Sequence, residues 1–84
     1  MKTLKVRFDR HARRRMKWRR ISEEEVSLAL EKPDKIEETM RGRTNVYKFI
    51  GTRYIKVTYK EFSDHTLIIS VVEKGKEGKN EDRI

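Results

Sequence analysis

The spacing of apolar positions changes along the chain, and each change marks an element. Residues 3–8 alternate, with Leu4, Val6 and Phe8 on one side, which predicts a short first strand or an extended lead-in. Asp9 is a suitable N-cap for a helix over residues 10–19, whose few apolar positions include Ala12 and Met16 at a four-residue spacing. Ser22 followed by Glu25 is a capping box, and Glu23, Glu24 and Glu25 suit the positive end of a helix dipole. A second helix then runs to about Glu31 with Val26, Ala29 and Leu30 inward, and Pro33 stops it.

Beyond Pro33 the period becomes two. Residues 35–40 and 44–50 read as strands around an Arg41-Gly42-Arg43 turn, with Tyr47 and Phe49 on one face of the later strand and Val46 and Ile50 on the other. Gly51-Thr52 marks a tight reversal into residues 53–60, where Ile55, Val57 and Tyr59 point inward and Tyr54, Lys56, Thr58 and Lys60 outward. After a Ser63-Asp64 turn, residues 65–73 form the most apolar strand. The predicted fold is α+β, with two N-terminal helices packed on an antiparallel sheet of three to four strands. One domain is expected over residues 1–73, followed by a charged, flexible tail over 74–84. Tyr47, Phe49 and Tyr59 are expected in the core.

With 84 residues there is room for one domain. Charged residues are 43% of the chain and no apolar run nears the roughly 18 residues of a membrane span, so a cytoplasmic protein without a membrane partner is expected. The absence of cysteine excludes disulfides, thiol nucleophiles and thiolate metal sites. The abundance of Lys, Arg and Glu is compatible with the ion-pair-rich surface of a thermophile's protein.

The charge is unevenly placed. Residues 1–20 hold ten basic side chains and one acid, a sum of +9, whereas residues 21–84 sum to −1. A basic patch concentrated on one element attracts a polyanion, and nucleic acid or an acidic protein fits that description. No glycine sits in a phosphate-cradling loop, and two histidines 54 positions apart without cysteine do not have zinc spacing, so no cofactor and no metal are expected. Glu23–Glu25 and Glu37–Glu38 read as helix capping and a strand flank rather than as acid/base pairs.

His11, Arg15 and Arg19 recur every four residues and form one stripe of the first helix. Imidazole exchanges protons near neutral pH, and fixed guanidinium groups stabilise charge growing on a phosphorane, which together are the parts of metal-free RNA cleavage. The same spacing also suits a histidine packed at the helix–sheet seam against a carbonyl. Arg13, Arg14, Lys17 and Arg20 add cations to the helix, while Arg43, Lys48, Lys56 and Lys60 could extend the basic surface over the sheet. Helix stripe and sheet face belong to one site only if the helix overhangs a sheet edge. His65, beside Asp64, reads as a turn residue.

The stretch from His11-Ala12 through Arg15-Met16, Arg19, Ile21-Ser22 and Val26 to Leu30 and Pro33, with Gly42-Arg43, Tyr47, Val57 and Ile68-Ile69-Ser70-Val71, resembles the DUF4258 domain over about residues 8–73. That family is similar to the RelE-like, barnase-like and BrnT toxins of toxin–antitoxin pairs. The resemblance implies an RNase-like fold and an endoribonuclease acting on mRNA or ribosome-associated RNA, restrained by an antitoxin protein. It also implies catalytic positions at His11, Arg15, Arg19 and Arg43, with the hydroxyl of Ser70 or a tyrosine assisting. Such domains commonly carry Gly where this chain has Arg20, so a different or strained turn is expected there. Two other classes compete with the enzyme: a nucleic-acid-binding module without catalysis, and a protein-interaction domain with a basic docking helix.

Overall fold

In the computed structural model, residues 5–39 and 41–74 are described, and the tail expected over residues 74–84 lies outside them except for Lys74. Chain order is β1 (Lys5–Phe8), α1 (Arg10–Arg19), α2 (Glu23–Glu31), β2 (Lys35–Glu38), β3 (Thr44–Ile50), β4 (Arg53–Glu61) and β5 (His65–Glu73). Both helices start as their sequences predict. Asp9 accepts from the His11 amide at 3.3 Å, and the Ser22–Glu25 box closes with reciprocal bonds of 3.1 and 2.9 Å.

The sheet corrects the expectation of three to four antiparallel strands. It has five strands in the order β1-β5-β4-β3-β2 and is mixed. Strands β2 to β5 form an antiparallel meander, but β1 lies parallel to β5, with Lys5 opposite His65 and Phe8 opposite Ile68. Alternation in residues 3–8 predicts a strand but carries no information about its partner, which here lies about sixty residues away.

One face of this sheet is covered. α1 lies over β5, and α2 over β3 and β4. Between the layers Ala12 and Met16 of α1, and Ile21, Val26 and Ala29 around α2, meet Val46, Ile55, Val57, Ile68 and Val71. Phe8, Leu30, Ile50 and Tyr59 close the rim. The pairing of Thr58 with Ser70 and of Tyr59 with Ile68 leaves Ile69 as an extra residue, a bulge that bends β5 at mid-strand.

The other face is uncovered among the described residues. Tyr47 and Phe49 belong to it and stack there on Tyr54, with ring centroids 5.8 and 4.4 Å away. They are therefore not core residues, in contrast to the expectation from their hydrophobicity, and Phe49 is 47% exposed. A strand with apolar side chains on both faces gives no sign of which face the helices take, and α2 takes that of Val46. Tyr59 does pack against the core.

Candidate nucleic-acid interface

Helix α1 carries the cations, and what it buries decides which way they point. Ala12 and Met16 are the only residues of α1 that are buried, so the remaining eight stay exposed around the helix. Asp9 caps the N-terminus, Lys17 and Arg19 occupy the last turn, where the dipole favours cations, and the first turn has no acid.

The helix ends in a Schellman motif. The Arg20 amide donates to the Lys17 carbonyl at 3.3 Å and the Ile21 amide to the Met16 carbonyl at 2.8 Å. Arg20 adopts φ 56° and ψ 48°, the left-handed conformation that glycine would take without strain, so the turn is the strained one rather than a different one. Arg53 secures the turn from the sheet: its guanidinium donates to the Arg19 carbonyl at 2.7 Å, the Arg20 carbonyl at 2.9 Å and Glu25 at 3.3 Å.

A cleft of about 430 Å³ opens between α1 and β5, lined by Asp9, His11, Arg14, Arg15, Trp18, Ile69 and Ser70. Its position follows from the sheet. β1 ends opposite Ile68, and the Asp9 amide donates to the Ile68 carbonyl at 2.9 Å before the chain turns into the helix. Past that point no described strand pairs with the outer edge of β5, and α1 overhangs it with the bulge at Ile69 below.

The cleft gathers His11, Arg15 and Ser70 of the expected catalytic set, and Arg14 of the expected RNA-binding set. His11 is exposed, and its ring forms no hydrogen bond among the described residues, so it is not the carbonyl-bound seam histidine that its spacing also allowed. Arg19 is absent from the lining, its carbonyl engaged by Arg53. Arg43 lines a separate hollow of about 170 Å³ with Glu38, Thr39, Gly42 and Thr44 at the β2–β3 turn.

The other basic residues divide in the same way. Arg13 and Lys17 line a hollow toward Ile21, Ser22 and Glu23. There Arg13 pairs with Glu23 at 3.1 Å and lies over the Phe8 ring, 5.1 Å from its centroid. Lys48 faces the helices, opposite the buried Ile55, and pairs with Asp34 at 3.6 Å. Lys56 and Lys60 are on the uncovered face, in register with Tyr47 and Leu67.

The sequence reading missed Trp18. This indole is 76% exposed and lines the cleft, the most exposed large apolar side chain among the described residues. The signal was present: positions 11, 14, 15 and 18 follow the i, i+3, i+4, i+7 spacing of one helical face. Following only the four-residue series from His11 to Arg19 leaves Trp18 out.

The uncovered face has its own polar chain. The Tyr47 hydroxyl donates to Glu37 at 2.8 Å, the Asn45 amide to the same oxygen at 3.3 Å, and the Thr58 hydroxyl to Asn45 at 2.7 Å. These bonds, Tyr47 first and Asn45 next, lower the Glu37 pKa. Burial and then the Glu37 bond push the Tyr47 phenol up to about 12. At the far end of β4, His65 holds Asp64 at 2.8 Å and stacks on Phe62.

No described helix is long and apolar enough to cross a membrane. A family model described as Domain of unknown function (DUF4258) matches residues 8–73. No curated protein and no solved structure matches the chain. The chain belongs to the DUF4258 family.

Proposed function

We propose that this DUF4258 domain is a toxin-like, metal-independent endoribonuclease whose basic cleft is restrained by an acidic antitoxin protein. The observation that carries this reading is the meeting of His11, Arg14, Arg15, Trp18 and Ser70 in one cleft. Two guanidinium groups hold a phosphodiester and stabilise the charge that grows on its equatorial oxygens. Trp18 offers an exposed ring for stacking a neighbouring base.

In the reaction, the RNA 2′ oxygen attacks phosphorus as its proton passes to water, and the bond to the 5′ oxygen breaks. His11 gives that leaving oxygen a proton and takes one back from solvent. The products are a 2′,3′-cyclic phosphate and a 5′ hydroxyl, with no net change in protons. Ser70 donates a hydrogen bond to a phosphate oxygen.

The test is cleavage of a defined single-stranded RNA in EDTA by the wild type and by His11→Ala, Arg15→Ala and Arg19→Ala. Loss of general acid catalysis costs about 10²- to 10⁴-fold, so His11→Ala is expected to lose at least 100-fold. Arg15→Ala loses turnover as well, and Arg19→Ala, outside the cleft, retains most of it. Cyclic ends from the wild type with this ranking support the reading. A second reading, a binding module without catalysis, is favoured by the engagement of Asp9 as a helix cap, which leaves His11 without a partner acid or base. RNA binding without cleavage, unchanged in His11→Ala, would establish that module and overturn the enzyme.

A further inference from the structure

The uncovered face of the sheet is chemically unlike an ordinary solvated face. Along β4 its outward side chains are Tyr54, Lys56, Thr58 and Lys60, and Phe62, just past the strand, continues the line to roughly 27 Å at about 3.4 Å per residue. Aromatic side chains mark both ends of that line. At one end Tyr54 lies between Tyr47 and Phe49; at the other, Phe62 stacks on His65 at 4.8 Å and 8°. Phe49 and Phe62 are 47% and 44% exposed, so neither cluster is closed over by the chain.

The charge on this face has one dominant sign. The strand registers put Lys5 and Arg7 of β1 and Lys35 of β2 on the same side as Lys56 and Lys60. Against these five cations stand two carboxylates: Glu37, whose Oε1 already accepts from Tyr47 and Asn45, and Asp64 in the turn before β5, which is held by His65. Lys35 and Lys60 lie over the Tyr47 and Phe62 rings, 5.1 and 5.5 Å from their centroids. Ring faces interleaved with cations are what a single strand requires, because every base has a π face and every linkage a negative charge.

The face is also continuous with the cleft. Ser70 lines the cleft and is paired with Thr58, the middle residue of the outward line on β4. From Ser70, the Tyr47 position is two strands across and two residues along, roughly 12 Å away.

We propose that this face is a second binding surface for single-stranded RNA, a track on which a strand leaving the α1–β5 cleft past Ser70 stacks its bases. The proposal extends the reading of the cleft as an RNA site, but it needs no catalysis. It assigns stacking to Phe49 and Tyr54 and phosphate contacts to Lys56 and Lys60.

The test is fluorescence anisotropy with uncleavable 2′-O-methyl oligouridylates of 4 and 12 nucleotides. The longer strand can occupy cleft and track together and is expected to bind the wild type more tightly. The Phe49→Ala/Tyr54→Ala double variant is expected to lose about tenfold for the 12-mer, the stacking of one base, while the 4-mer keeps its affinity. Lys56→Glu/Lys60→Glu, which leaves the aromatic stack intact, is expected to flatten the slope of log affinity against log salt by about 1.4 for the 12-mer. Thermal melts confirm that both variants are folded. Equal 12-mer affinity and equal slope in wild type and both variants overturn the track, as does a 12-mer that binds no tighter than the 4-mer. Failure of the cleft has a different signature: the wild type does not cleave RNA, while binding of the 12-mer is still weaker in both track variants.

Discussion

Arg20→Gly removes a backbone strain that can be weighed against its entropic cost. The residue sits at φ 56° and ψ 48°, where a Cβ crowds the following carbonyl at a cost of roughly 1–2 kcal/mol. Glycine relieves that cost but gives the unfolded chain more freedom, which offsets about 0.4–1 kcal/mol. The bonds around the turn are all main-chain on this residue's side: the Arg20 amide to Lys17, and the Arg20 carbonyl to Arg53. Both survive the substitution. The net gain is about 0.5–1 kcal/mol, and at about 4–8 °C per kcal/mol for a domain of this size the melting midpoint rises roughly 2–8 °C. Arg20→Ala is the control. It removes the same cation but keeps the Cβ, so its midpoint stays near that of the wild type. Melts followed by circular dichroism at one pH and salt concentration compare the three proteins. A glycine variant melting no higher than the alanine variant would refute the reasoning, because charge and side-chain loss are common to both.

The same turn is held from the sheet by Arg53, and Arg53→Met keeps the stem while removing bonds to two carbonyls and Glu25. Those carbonyls are within reach of water, so the expected loss is about 1–2 kcal/mol and a midpoint lower by roughly 5–15 °C, read in the same melts. Ser22→Ala opens the capping box at the start of α2, and urea unfolding is expected to show a loss of about 1 kcal/mol with an unchanged m-value. Absorbance titration at high pH is expected to show a tyrosine ionising only near pH 12, and Tyr47→Phe is expected to delete that component. Because Tyr47 is raised above the usual value of 10, its contribution to stability is intact below pH 10 and is lost as pH climbs toward 12. The lowered Glu37 carboxyl acts in the opposite direction: its contribution is present above pH 4.5 and is lost as pH falls through its folded-state value.

The local structure of α1, α2 and the β3–β4 hairpin was legible because each rests on chemistry between near neighbours in sequence. Caps at Asp9 and Ser22, the stop at Pro33 and the Gly51-Thr52 reversal need only a few residues each to act. Facing was less legible. Lys48 looks like a surface cation, yet its register with Ile55 turns it toward the helices, where Asp34 neutralises it. Tyr47 and Phe49 look like core residues, yet that same register turns them away from the helices, onto Tyr54. Period two identifies two faces of a strand, but which face is covered depends on where helices dock. Arg43 carries the same lesson for the site. The family resemblance singled it out, and topology gives it a hollow of its own at the β2–β3 end.

The least legible feature of the fold, the parallel β1, is also the one that creates the cleft. In an all-antiparallel meander beginning at β2, β5 would present a full-length bare edge, and nothing would fix α1 relative to it. Here four residues of β1 cover the first half of that edge, and the Asp9 amide remains tied to the Ile68 carbonyl. The chain then leaves the sheet at the level of the bulge and enters α1 through the Asp9 cap. The start of the helix is thereby fixed beside Ile69 and Ser70. Burial of Ala12 and Met16 sets its rotation, and the Arg53 bonds hold its far end. With both ends and the rotation set, positions 11, 14, 15 and 18 have one direction left to face, across the uncovered half of β5. A longer β1 would fill that half with backbone, and without β1 the helix would lose its anchor. The span of four residues, ending opposite Ile68, is what leaves a cationic and aromatic helix face beside an unpaired strand edge.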